Sequence, residues 1–244
     1  MKRKYADLHL CPDASNASQV AGLAEKAFNL GYRLIAVPFH PRVDEGQVKS
    51  LRKTCEEIGI DLASRIDLFP RSPDELLRDL RKVRRRFEIV AVMCFSKQAA
   101  RQAAKDRRVD LLNFPRPDFR NGFFDSADAE LASNSSASFE IDVEPLLVEE
   151  GVPRIRRLSM LTKEVGTAMD FHVPIVVSSG VSEQLLMRRP LEQACLGSLC
   201  GLCEFERVES VSTNPIGLVS RSREKLSWCF VAPGIKVVRR GNDC

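Results

Sequence analysis

Short apolar runs recur along the chain at intervals of about 25 to 30 residues, and between them the apolar positions shift to helical spacing. Val173 to Pro190 shows the unit most clearly. Pro174-Ile175-Val176-Val177 is β-branched, uncharged and too short for a helix, as expected of a strand buried on both faces of a parallel sheet. Ser178-Ser179-Gly180 then turns the chain. Ser182 and Glu183 predict the start of a short helix that Arg188-Arg189-Pro190 ends.

The same pattern predicts strands at Tyr5 to His9, Leu34 to Phe39, Ile60 to Leu68, Phe87 to Cys94, Val109 to Phe114 and Ser138 to Val143. Helices are predicted from Gln19 to Leu30 and Glu45 to Ile58, closed by Gly31 and Gly59. A third begins at Ser72-Pro73-Asp74-Glu75, where a Ser cap, Pro in the first turn and early acids coincide. Lys97 to Asp106, Asp125 to about Ser133 and Pro153 to about Phe171 follow. Beyond Pro190 the spacing is helical throughout: Leu191 to Leu202, Glu204 to Ser212, and Asn214 to about Leu226 behind Asn214-Pro215. No eighth strand is evident. Alternating strands and helices over 244 residues predict a single domain spanning 1–244, an α/β irregular TIM-like (β/α) barrel. The first βα turn carries neither GxGxxG nor GxxxxGK[ST], which argues against a dinucleotide-binding or P-loop protein.

A hydrophobic fraction of 44% suits a sizeable core. No run approaches ~18 uncharged apolar residues and no apolar segment follows Met1-Lys2-Arg3-Lys4, so a cytoplasmic protein without membrane contact is expected. The eight cysteines are dispersed and expected as reduced thiols. Cys200 and Cys203 form the only CxxC, with Cys195 nearby, and a structural zinc site would need a further pair.

Charge is uneven. Asp125, Asp128, Glu130, Glu140, Asp142, Glu144, Glu149 and Glu150 form an acidic stretch with no basic residue; setting it aside lifts the formal charge from +4 to +12. This asymmetry points to a polyanionic partner, with the acidic sector expected to face away from it or toward a basic protein partner. Basic residues cluster at Arg78 to Arg86, Arg101 to Arg108, Arg116 and Arg120, Arg154 to Arg157, and Arg188 with Arg189. Arginine suits phosphate because its planar donors fork onto two oxygens. Arg84, Arg85, Arg86, Arg107, Arg108, Arg116, Arg120, Arg188 and Arg189 are therefore the candidate RNA contacts, with Phe119 and Phe123 as candidate stacking partners. A solvated helix face is the plain alternative for the Arg78 to Arg86 run.

At the predicted carboxyl ends of strands lie Asp7, His9, His40, Asp67, Glu140, Asp142, Ser178 and Ser179. Asp7 and His9, two apart, face one way and invite a metal. A metal-dependent phosphoesterase using Asp7, His9, Asp67 and Asp142 is the rival reading, weakened by a total of three His. The serines lack a GxSxG elbow, so a helix-capping turn is expected of them.

Asp7-Leu8-His9, Glu140-Ile141-Asp142-Val143-Glu144-Pro145-Leu146-Leu147, Ser178-Ser179-Gly180-Val181 and Leu186-Met187-Arg188-Arg189-Pro190 together resemble the family of archaeal ribonuclease P protein component 3, counterpart of the eukaryotic thirty-kilodalton subunit. Gly201-Leu202, Ser212-Thr213-Asn214-Pro215 and Ser222 to Leu226 extend the likeness to nearly the whole chain. The resemblance implies a TIM-like barrel related to phosphoesterases of the polymerase-and-histidinol-phosphatase type. It also implies an accessory role with no catalytic residue and no cofactor in the chain itself: the RNA subunit, with Mg²⁺, removes 5′ leaders from precursor tRNA. The implied partners are ribonuclease P RNA, the small protein component 2 and, through the holoenzyme, precursor tRNA. Asp7 and His9 would be remnants of a phosphoesterase site. The acidic stretch and the Cys195, Cys200 and Cys203 group depart from that pattern. A barrel that only bridges proteins is a third reading.

Overall fold

The computed structural model describes residues 3–115, 124–232 and 235–237. Seven parallel strands run in sequence order: β1 (Ala6–Asp7), β2 (Leu34–Pro38), β3 (Asp61–Leu68), β4 (Ile89–Met93), β5 (Leu111–Asn113), β6 (Ser138–Asp142) and β7 (Ile175–Ser178). Each is paired to the next, with Ala36 opposite Ala63, Ala91 opposite Leu111 and Glu140 opposite Val176. Outside them lie α1 (Ala17–Leu30), α2 (Glu45–Ile58), α3 (Pro73–Val83), α4 (Lys97–Lys105), α5 (Ser126–Ser135), α6 (Glu144–Val148) and α7 (Gly151–Asp170). Local chemistry sets their ends. Asn16, Asp44 and Ser72 accept backbone N–H groups at the starts of α1, α2 and α3, and Gly31 and Gly59 close α1 and α2.

The barrel closes without an eighth strand. Past β7 the chain runs beside the continuation of β1, where Gly180 N donates to His9 O (2.8 Å) and Cys11 N to Val181 O (2.8 Å). At the opposite end Ala6 N donates to Val211 O and Asn214 Nδ2 to Ile175 O. Val211 lies in the segment joining α8 (Pro190–Ser198) and α9 (Glu204–Ser210) to α10 (Thr213–Leu226), and Asn214 in the first turn of α10. That segment plugs the gap between β7 and β1.

Helix α10 stoppers the barrel at the strands' amino ends. Its Leu218 and Val219 join Ala6, Leu8, Leu34, Ala36, Ala63, Ile89, Ala91, Leu111 and Val176 in the interior core, while a larger apolar layer packs the helices on the sheet. Arg84 and Ser222 both reach the buried Asp110, and Arg223 reaches Asp61 and Glu88. The stopper is thus fixed by apolar contact and by charge.

Three local expectations change. Between Ser182 and Arg189 only one 3-10 turn forms, Gln184–Leu186, and Pro190 opens α8 instead of ending a helix, consistent with its preset φ and missing N–H at a first turn. Thr213 follows Ser212 into α10, so Asn214 is not a cap and its side chain serves β7. A short hairpin, β8 (Phe230–Ala232) with β9 (Ile235–Lys236), lies beyond α10 where no strand is predicted.

Candidate functional site

The carboxyl end of the barrel is filled by a network of buried charge. On β3, Ala63, Arg65 and Asp67 alternate on the inward face, as period two requires, so the Arg65 guanidinium enters the lumen and is fully buried. Its Nη1 and Nη2 donate to the two oxygens of Glu140 at 2.6 and 2.7 Å, a forked pair. Nε donates to Asp67 Oδ1 (2.7 Å) and Nη1 also to Leu8 O (2.7 Å). His9 lies between two carboxylates, Nδ1 being 2.8 Å from Asp142 and Nε2 3.2 Å from Asp67. Asn113 donates to Glu140 and Asp142, and Ser178 donates to Glu140.

Electrostatics follows from these contacts. Burial and the adjacent Arg65 charge disfavour imidazolium, but Asp142 and Asp67 together overcome them and hold His9 well above its ordinary pKa. Burial would raise Asp67, yet Arg65 and His9 hold it well below the usual carboxylate range, and Asp142 is also lowered. Asp7 differs. Burial lifts it to about 6, against the Ser179 and His9 N–H groups that Oδ1 accepts, and its Oδ2 has no partner.

A metal does not fit this donor set. Among the described residues, His9, Glu140 and Asp142 are the group whose ligand atoms approach within 4.8 Å of one another. Both oxygens of Glu140 are already forked by Arg65, and both ring nitrogens of His9 face carboxylates. Two cations of the chain, Arg65 and His9, already pair with the three carboxylates Asp67, Glu140 and Asp142, so a divalent ion would have to displace a guanidinium and deprotonate an imidazolium. Of the four residues named for the rival phosphoesterase reading, His9, Asp67 and Asp142 are thus members of a buried ion-paired network, and Asp7 lies beside it without a cationic partner among the described residues. Arg65, the network's central member, was missing from the sequence reading.

Ser178 and Ser179 are likewise corrected. Both are buried; Ser179 donates from its hydroxyl to His9 O and from its N–H to Asp7, and caps no helix. Gly180 follows at φ 70°, where a Cβ would sit 2.9 Å from Asp142 Cβ, so glycine is needed both for the turn and for the close approach.

The candidate RNA contacts divide. Arg84 is a structural residue, held by buried Asp110 at 2.5 Å and by Ser222, and is not displayed for phosphate. Arg86 donates to Pro41 O and Val43 O, Arg108 forks onto Asp106, and Arg188 donates to Leu185 O and Met187 O. Arg85, Arg107 and Arg189 are exposed with no carboxylate partner among the described residues. Arg116, Arg120, Phe119 and Phe123 lie outside the described residues. The structure brings Arg85 and Arg86 together beside one groove and Arg189 beside another, with Arg3, Lys4 and Arg33.

The acidic stretch is not an acidic surface. Asp125 and Asp128 pair with Lys97, Glu149 pairs with Arg157, and Glu140 and Asp142 serve the barrel network. Five of its eight carboxylates thus already have cationic partners, and the expected acidic sector dissolves. The cysteines form no metal group among the described residues: Cys200 is buried while Cys195 and Cys203 are exposed.

Comparison with known proteins agrees in sequence and in shape. Ribonuclease P protein component 3 of Methanosarcina barkeri is 30% identical over 99% of this chain and 98% of its own length. That of Haloarcula marismortui is 26% identical over 98% and 99%. A chain in a cryo-EM structure of archaeal ribonuclease P with mature tRNA has a TM-score of 0.80, covering 97% of this chain and 100% of that one at 16% identity. A putative prolidase from Bifidobacterium longum shares the fold more distantly, with a TM-score of 0.55 at 11% identity over 90% of this chain and 70% of that one. With residues 4–227 matching the family described as RNase P subunit p30, the chain belongs to that family.

Proposed function

We propose that this chain is a protein subunit of ribonuclease P that helps the catalytic RNA remove 5′ leaders from precursor tRNA, and that the isolated chain is not itself a catalyst. The observation that carries the reading is the family match over residues 4–227, joined to a barrel mouth filled by its own Arg65 and His9. An enzyme of this barrel shape works from loops at the carboxyl ends of the strands. Here the carboxylates Asp67, Glu140 and Asp142 at that end are already paired with Arg65 and His9.

Function then rests on surfaces. Arg85, Arg107 and Arg189 are the predicted arginines left free to meet phosphate, and Arg116 and Arg120 extend the set through the segment after Pro115. Arg86 and Arg188 are tied to backbone carbonyls, and Arg108 to the Asp106 carboxylate. The small component 2 is the proposed protein partner, Mg²⁺ belongs to the RNA, and the complex works in the cytoplasm. Among the described residues no helix is long and apolar enough to cross a membrane.

The decisive experiment is cleavage of precursor tRNA by the cognate RNA at limiting Mg²⁺, with component 2 alone and with both proteins. Adding this chain is expected to lower the Mg²⁺ required. No change, together with phosphoester hydrolysis by the chain alone in Mn²⁺, would overturn the proposal.

A further inference from the structure

Between α2 and α3 the outer wall of the barrel opens into a groove of about 330 Å³, within the range of small-ligand pockets (~300–1,000 Å³). Its floor is Ser64, within β3, and Glu88, immediately before β4. Its apolar walls are Val43, Val48, Phe87 and Leu226. Lys49 and Arg52 enter from α2, Arg85 and Arg86 from the turn after α3, and Arg223 from α10. Five cations face two carboxylates, Glu45 and Glu88, an excess of three positive charges from three separate elements.

The cations are of two kinds, and the division suggests a purpose. Arg52 is fixed by Glu88 Oε2 (2.8 Å) and Leu62 O; Arg223 by Glu88 Oε1 (2.6 Å) and Asp61; Arg86 by two backbone carbonyls. Buried Glu88 also accepts from the Ser64 N–H and hydroxyl, so the frame is rigid. Lys49 and Arg85, by contrast, are exposed and have no carboxylate partner among the described residues. Fixed guanidinium groups set a positive field without further ordering cost, and two unengaged cations at the rim are left to meet an anion.

We propose that this groove binds the phosphodiester backbone of one RNA strand, with Lys49 and Arg85 contacting phosphate, Arg52, Arg86 and Arg223 holding the field, and the half-buried Val48 with Leu226 packing against the nucleoside. The inference rests on the reading of the chain as a ribonuclease P subunit, which supplies the RNA. It adds a specific place, and it recruits Lys49, Arg52 and Arg223, which no run of basic residues in the sequence marks out. Charge and apolar wall together favour a nucleotide over an acidic protein segment, because carboxylates would leave the half-buried Val48 and Leu226 without an apolar partner.

The test measures binding of the chain, with component 2, to ribonuclease P RNA across a salt series. The double variant K49E/R85E is compared with K26E/K163E, which makes the same charge change on α1 and α7. K49E/R85E is expected to weaken binding at least tenfold near 0.15 M salt and to flatten the log–log salt slope by roughly 1.5 to 2, two lost phosphate contacts; K26E/K163E should leave the slope near that of the parent. Equal effects of the two variants, or an unchanged slope in K49E/R85E, would overturn the groove as an RNA site. So would a photo-crosslinker at position 49 that reaches component 2 and no RNA. Cleavage assays run beside the binding series separate the two proposals: a parent chain that never alters cleavage refutes the subunit reading, whereas one that does, with K49E/R85E equally effective and equally tight on RNA, refutes the groove alone.

Discussion

Arg65 has no solvent, five hydrogen-bonding contacts at most to satisfy and three carboxylates near enough to matter. Replacing it with Met keeps much of the side-chain volume but strands Glu140 and Asp67 in a buried site, which costs about 3 to 5 kcal/mol when one partner of a buried pair is removed. Urea denaturation of Arg65→Met should show that loss as a lower midpoint at unchanged slope. The pH response of the parent network has a definite sign. His9 is raised, so its contribution is complete below about 6.5 and disappears only as pH rises through its higher folded value; Asp67 and Asp142 are lowered, so theirs is complete above about 4 and disappears as pH falls through their folded values. The network is therefore at full strength between about pH 4 and 6.5, and its His9 part declines as pH rises above that. Sequence marked Asp7, His9, Glu140 and Asp142 as strand-end chemistry but could not say which cation would meet them. A signal was present: Arg65 and Asp67 share the phase of Ala63 on a strand buried on both sides, where a solvated charge has no place.

At the level of elements, the alternation of strand and helix was legible because each boundary has a local cause, such as the Ser72 cap before Pro73 or the glycines after α1 and α2. What failed were elements whose ends depend on distant groups. Asn214 has the chemistry of a cap, but the exposed carbonyl of Ile175 claims its amide, and the Ser182 to Arg189 segment is stretched across α1 instead of coiling. Helix α7 offers a measurable case of burial at work. Glu164 is buried on it, accepts the Phe124 N–H at 3.1 Å, and burial lifts its pKa to about 8. Between about 4.5 and 8 the folded chain keeps a proton that the unfolded chain has released, so this group lowers stability as pH rises. Glu164→Gln retains an acceptor for Phe124 and removes the titration. It should be nearly neutral at pH 4.5 and stabilising by about 3 to 5 kcal/mol at pH 8.5, read from denaturation midpoints at both pH values.

Over the whole molecule, the lumen of the barrel is completed by residues more than two hundred positions from its first strand. Leu218 and Val219 sit against Ala6 and Leu8, and Ser222 and Arg223 are tied to Asp110, Glu88 and Asp61. Leu218→Ala should cost about 2 to 5 kcal/mol, with every strand of the barrel losing hydrogen-exchange protection together, because the cavity opens in a core they all share. An effect confined to α10 would mean that the stopper is an appendage. The charge seen from outside is also a property of the whole: five acidic residues of the Asp125 to Glu150 stretch pair with cations, so the composition of a segment did not forecast the field of a surface.

The positive charge inside the barrel mouth is covalently part of the chain, and a chelator has nothing to withdraw from it. Titrating divalent ions into a mixture of this protein and RNA should consequently count no ion at the barrel mouth. Stripping the mixture with chelator would dismantle the RNA and return this barrel folded, ready to be used again.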